Sequence, residues 1–220
     1  MAAGCDGGFA YGGRMGTVWT IVVAAGSGSR FGGAKQYADL GGRRVVDWAI
    51  ADARVHSDGV VLVVPSERAS TVEPDVDVVV AGGSTRSESV RAGLAAIPAD
   101  AELVLVHDAA RPMAGADLFA SVVAALRDGA DAVVPGVAVV DTIRRRSGGV
   151  LDRDDLVAVQ TPQGFRAEAL RAAHGSGGEA TDDAALVEAL GRKVVVVDGH
   201  VRNRKITDAL DLAVADRLVR

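Results

Sequence analysis

The chain has 220 residues, 49% of them hydrophobic but only 4% aromatic, and its 24 Lys plus Arg against 29 Asp plus Glu leave a net charge of -5. That length suits one sizeable α/β domain with a core of Val, Ala and Leu, and the acidic balance excludes a surface built for nucleic acid backbones. One cysteine, Cys5, excludes an intrachain disulfide and a cysteine-cluster metal site, and no apolar run approaches the roughly 18 to 20 residues that span a bilayer, so a cytoplasmic protein without membrane or nucleic acid partners is expected.

Residues 1–16 are rich in Gly and Ala without periodicity and are expected to form a disordered extension, with Met15 as an alternative start; residues 17–220 are expected to form one domain. Apolar, β-branched runs at 19–24, 60–64, 76–80, 103–106, 132–134 and 194–197 predict strands. Helical spacing recurs over 45–55, 87–97, 117–127 and 181–190. Strands that lack polar alternation are buried on both faces, and intervening helices then imply an α/β fold with a doubly wound, mostly parallel, Rossmann-like sheet. Residues 137–159 break this rhythm. Two β-type runs flank a Ser-Gly-Gly turn there and predict a β-hairpin arm projecting from the sheet. Alone, the arm would expose Val139, Val140, Ile143 and Val150, which predicts packing against a second subunit.

In such sheets ligands bind where strands end and helices begin. The first strand runs into "AAGSGSRFGGAKQY", residues 24–37. Its small residues leave backbone N–H groups bare for polyphosphate oxygens, and Arg30 and Lys35 add positive charge. The stretch lacks the Gly-Lys-Ser/Thr ending of a P-loop, and Phe31 occupies the third glycine position of a dinucleotide fingerprint. The later strand end "VHDAARP", 106–112, places Asp108 and Arg111 beside that loop if the two strands are neighbours, as a site pair or as a buried ion pair; His107 points the other way and is read as structural. "AGGSTRSESV", 81–90, offers close backbone approach at Gly82 and Gly83 and donors at Ser84, Arg86 and Ser89, with Ser87 equally readable as a helix cap. "TDDAALVEAL", 181–190, begins with Thr181 as either an N-cap or an anion-binding terminus. In "RNRKITDALDL", 202–212, Lys205 precedes a helix capped by Thr207 or Asp208.

Together with "DTI" and "QTPQGF", these stretches resemble, in order and from about residue 21 onward, the family of 2-C-methyl-D-erythritol 4-phosphate cytidylyltransferases. The resemblance implies a nucleotidyltransferase that joins CTP to 2-C-methyl-D-erythritol 4-phosphate, with Mg2+ bridging the triphosphate and no metal ligands from the protein. It implies Arg30, Lys35 and Lys205 as catalytic cations, and Ala24, Ala25, Gly26, Gly28, Gly83, Ser84 and Ser89 as the CTP-binding set. It assigns Asp108, Arg111, Thr142, Arg153 and Thr181 to the second substrate, with Thr142 and Arg153 delivered across a homodimer by the arm. Ala34 stands where the family usually carries proline, and only four residues separate Arg30 from Lys35, so loop closure is expected to differ in detail. The rivals are a cytidylyltransferase for another polyol phosphate such as ribitol 5-phosphate, a nicotinamide oxidoreductase and a silent nucleotide binder. An oxidoreductase needs an acid at the end of the second strand, whereas Val64, Pro65 and Ser66 stand there and Glu67 comes one residue late.

Overall fold

The structure, a computed structural model, describes residues 17–28, 31–175, 177–180 and 182–220; the expected N-terminal extension, Arg30 and Thr181 lie outside the described residues. Its main strands are β1 (Val18–Val23), β4 (Gly59–Val64), β5 (Val78–Ala81), β6 (Leu103–Asp108), β7 (Ala132–Ala138), β8 (Val157–Val159), β9 (Gln163–Arg166) and β10 (Val194–Asp198). They form one sheet in the order β10-β7-β9-β6-β1-β4-β5, with β8 paired to β7. The short strands β2 (Asp39–Leu40) and β3 (Arg43–Arg44) pair separately.

Burial on both faces explains the unbroken apolar strands. Val60, Leu62 and Val64 of β4 join one core with α1 (Val45–Val55) and α3 (Ala116–Arg127). Val61 and Val63 point to the other, shared with α2 (Arg86–Ala96), α4 (Ala167–Gly175) and α5 (Asp183–Glu188). A fully buried valine or leucine contributes about 1.5–3 kcal/mol, so a one-residue register slip, which sends each set to the wrong layer, is strongly disfavoured. A third cluster packs Ala215 of α6 (Ala209–Val219) against Leu40 and Val45, with Leu212 and Val219 beside it. This joins the C-terminal helix to the chain that follows the first loop.

The sheet is parallel except around β9, which runs antiparallel to both β6 and β7, and at β8, antiparallel to β7. Neither β9 nor α4 follows from apolar runs in the sequence. Phe165 is the one large apolar residue of β9, and Gly164 is hidden because a Cβ there would lie 2.4 Å from Val122 Cγ1. The expected arm rises from β7 and β8, paired antiparallel at 136–138 and 157–159, and tightens again at an Arg144 to Val150 bridge around Gly148 and Gly149. Val140 is 80% exposed and Val150 55%, while Val139 and Ile143 are half-buried.

Candidate active site

β1 and β6 are parallel neighbours, with Val23 opposite Asp108. β4 and β5 lie on the other side of β1, with Val64 opposite Ala81. Backbone bonds from Ala24 N to Val63 O (2.7 Å), Ala109 N to Val23 O (3.1 Å) and Gly82 N to Val64 O (2.8 Å) carry this alignment past the strand ends. The loops after β1, β5 and β6 therefore open into one cleft.

That cleft holds about 450 Å3 and is lined by Ala24, Ala25, Gly26, Gly28, Lys35, Gly83, Ser84, Ser89, Asp108 and Lys205, along with Gln36 and Arg86. Gly28 adopts φ +64°, and a Cβ on it would sit 1.9 Å from Gly33 O, so the turn demands glycine. Buried Gln36 holds the loop open from behind by donating through Nε2 to Ala24 O (2.7 Å) and Gly26 O (3.1 Å). Sequence reasoning passes over Gln36, because a glutamine after a lysine looks solvated until the loop's carbonyls are accounted for.

Across the cleft, Thr85 rather than Ser87 caps α2, and Ser87 is buried. Glu88 Oε2 accepts from Ser84 N (2.6 Å), Ser84 Oγ (2.6 Å) and Thr85 N (3.1 Å), and Ser89 Oγ donates to Thr85 O (2.9 Å). The donors of Ser84 and the hydroxyl of Ser89 are thus consumed within the protein. A carboxylate already sits at this helix start, so it repels a polyphosphate, while the bare loop beside Lys35 attracts one.

Asp108 is buried at the floor. Its Oδ2 accepts from Lys205 Nζ at 2.6 Å and its Oδ1 from Arg86 Nε at 3.4 Å. Burial alone would raise this carboxyl, but the charge of Lys205, then Arg86 and Arg111, holds it well below the usual carboxylate range. Arg111 is not its hydrogen-bonded partner. It donates to Asn203 O (2.8 Å) and Val159 O (3.3 Å), and with Ile206 N on Ala110 O (2.8 Å) it ties the Lys205 segment to the end of β6. Asp208 caps the helix that follows.

His107 is fully buried against Phe119. Its Nε2 lies 3.2 Å from the Arg111 carbonyl, which only accepts, so Nε2 carries the proton and Nδ1 accepts from Thr161 Oγ1 at 3.1 Å. Thr161 Oγ1 in turn accepts from Asp108 N at 3.0 Å. The neutral ring is thereby built into the strand end, and burial, with Arg111 adding to it and Asp108 opposing it, pushes its pKa down to about 4.

A second cavity of about 280 Å3 shares Asp108, Arg86 and Lys205 with the first and adds Arg111, Thr161, Gln163 and Asp182. Buried Arg111 Nε and Gln163 Oε1 find no hydrogen-bond partner among the described residues. The chamber lining, with Arg86, Arg111, Lys205, Thr161 and Gln163, is polar and carries three cationic side chains, which suits an anionic, hydroxylated guest. Thr142 and Arg153 stand elsewhere: they line a cavity of about 300 Å3 on the arm, and Arg153 Nη1 donates to Val140 O at 2.7 Å. Among the described residues no group of three or more His, Cys, Asp or Glu side chains is arranged to hold a cation. Asp108, the one described carboxylate lining the larger cleft, is already engaged, so these residues do not fit a protein-held metal.

A mostly parallel α/β sheet with a glycine-built, cation-flanked cleft at its carboxyl edge, beside a smaller polar chamber that shares Arg86, Asp108 and Lys205 with it, is the arrangement in which α/β proteins bind small ligands. The family model for 2-C-methyl-D-erythritol 4-phosphate cytidylyltransferase matches residues 18–220, and the chain belongs to that family. A relative of that name from Rhodococcus jostii (strain RHA1) is 47% identical over 93% of this chain and 96% of its own length. A relative named bifunctional enzyme IspD/IspF, from Nitratidesulfovibrio vulgaris (strain DP4), is 42% identical over 90% of this chain, which spans 57% of that relative's length. The crystal structure of the 2-C-methyl-D-erythritol 4-phosphate cytidylyltransferase from Thermus thermophilus superposes with a TM-score of 0.79 at 37% identity, over 94% of this chain and 100% of that one.

Proposed function

We propose that the protein transfers the cytidylyl group of CTP to 2-C-methyl-D-erythritol 4-phosphate, releasing pyrophosphate. The observation that carries the reading is that two adjacent chambers share Asp108, its partner Lys205 and Arg86, with a glycine loop on one side and Arg111, Thr161 and Gln163 on the other. The triphosphate lies along residues 24–28 with Lys35 and Arg30, and the base and ribose against 83–89. The second substrate fills the smaller chamber, its hydroxyls on Asp108, with Arg111 and Thr181 as further residues that bind its phosphate and polyol.

A phosphate oxygen of the second substrate attacks the α-phosphorus in line. The P–O bond to the β-phosphate breaks as the new P–O bond forms, and pyrophosphate leaves with the electron pair. No protein nucleophile is required. The protein's task is to hold two anions together and to neutralise charge building on the α-phosphate and leaving group, which falls to Arg30, Lys35 and Lys205. Mg2+ arriving with CTP would add charge compensation that the described residues alone do not supply. The arm of residues 137–159 delivers Thr142 and Arg153 to a partner subunit, which gives its exposed valines a surface to cover. Residues 17–220 act as one domain in the cytoplasm, where both substrates are soluble.

The test uses methylerythritol phosphate labelled with 18O in its phosphate oxygens, together with CTP and Mg2+. The expected outcome is full retention of label in the 4-diphosphocytidyl product and none in pyrophosphate. Label in pyrophosphate would contradict attack at the α-phosphorus.

A further inference from the structure

Lys205 faces a conflict in the proposed reaction. It must reach a phosphate, yet it is bound at 2.6 Å to Asp108, a buried carboxylate that would lose its shortest charged contact by its departure. The arrangement around Arg86 resolves the conflict. This first residue of α2 extends one guanidinium across both carboxylates of the site floor, with Nη1 at 2.6 Å from Asp183 Oδ2 and Nε at 3.4 Å from Asp108 Oδ1. Its side chain is only 22% exposed and lines both cavities. Asp183 is buried in turn and held through its other oxygen by His174 Nε2 at 3.0 Å. The row His174, Asp183, Arg86, Asp108, Lys205 thus crosses from α4 to the C-terminal loop.

We propose that Arg86 is a positioning residue that fixes Asp108 and keeps it charge-compensated when Lys205 turns to the substrate phosphate. The inference rests on the reaction proposed above. Asp183 anchors the guanidinium from behind, so Arg86 stays in place whether or not Lys205 is present. A lysine at this position would keep the charge but not the fork that spans two carboxylates.

The test compares Arg86→Gln with its parent for CTP affinity measured alone, KM for each substrate, kcat and melting temperature, and adds a double-mutant cycle with Lys205→Ala. CTP affinity is expected to stay within about threefold, while kcat/KM for methylerythritol phosphate falls about 10- to 100-fold, the range of a lost charged hydrogen bond. Arg86→Lys is expected to recover only part of that loss. In the Lys205→Ala background, Arg86 is the remaining cation hydrogen-bonded to Asp108, so Arg86→Gln should cost more than it does in the parent. Fully additive losses, or an equal weakening of CTP binding, would overturn the proposal. If Arg86→Gln does not fold, Asp183→Asn carries the same cycle, with a smaller loss in the same direction expected and an unchanged kcat/KM counting against the proposal. A parent enzyme inert with this substrate pair would remove the underlying reaction; an active parent with an indifferent Arg86→Gln would remove only the role of Arg86.

Discussion

At the scale of single residues, side chains that meet charge part from those that hold the first group in place. Lys35 and Lys205 belong to the first set. Lys35→Ala and Lys205→Ala are each expected to lower kcat about 100- to 1000-fold, as for removal of one transition-state donor, with the circular dichroism spectrum retained; near-parental turnover in either would take that lysine out of the mechanism. His107 belongs to the second set and carries a pH signature. Its folded pKa, pushed down to about 4, lies below the unfolded value near 6.5, so the unfolded chain binds the extra proton first. The resulting stability is fully present above about pH 6.5 and is lost as pH falls toward 4, with an upper limit on the order of 3 kcal/mol. Urea unfolding between pH 7 and pH 4.5 should therefore show a steeper acid loss for the parent than for His107→Gln, and equal slopes would contradict the buried neutral ring. Asp108, whose pKa is also depressed, adds stability that is lost only at lower pH, below the ordinary carboxylate range.

At the scale of elements, the cleft depends on turns that accept only one backbone shape. Gly28→Ala forces a side chain into a φ of +64° and into Gly33 O; strain of about 1–3 kcal/mol is expected there. The loop would re-form in another shape, so CTP affinity should fall about 10-fold or more while the melting temperature changes by only a few degrees, and unchanged CTP binding would remove the loop from nucleotide recognition. How far these elements can be read from sequence follows from how each is buried. β1, β4 and β6 announce themselves because both faces are covered and their side chains do the covering. β9 stays hidden because its burial comes from Val122 and Leu126 closing over Gly164, a property of the neighbours. The α2 cap shifts from Ser87 to Thr85 for a related reason: Ser87 Oγ is drawn to Ala180 O at 3.2 Å, a partner 93 residues away. Most of the cleft was legible because glycine, lysine and aspartate at strand ends have few alternative uses. Gln36 and the Arg86 to Asp183 link were not, since their meaning lies in partners that only the fold supplies.

At the scale of the whole molecule, the distance between cleft and arm becomes the issue. Thr142 and Arg153 line a cavity that shares no residue with either chamber of the cleft, and the arm leaves Val140 and Val150 exposed. A second copy of the chain would cover those valines and carry Arg153 to the neighbouring site. Mixed Asp108→Ala and Arg153→Ala subunits, each inactive alone, should then recover up to about half of parental activity per heterodimer, because one of its two shared sites is intact. Verified heterodimers without any recovery would mean that each chain completes its own site.

The central claim is that the two adjacent chambers hold CTP and a methylerythritol phosphate, and pyrophosphate release tests it most directly. Initial rates with Mg2+ should be compared for CTP, ATP, GTP and UTP, each with 2-C-methyl-D-erythritol 4-phosphate and with ribitol 5-phosphate. A strong preference for CTP paired with methylerythritol phosphate is the expected result. Release with ribitol 5-phosphate alone would keep the nucleotide cleft but contradict the assignment of the second chamber, and no release with any pair would contradict the catalytic reading altogether.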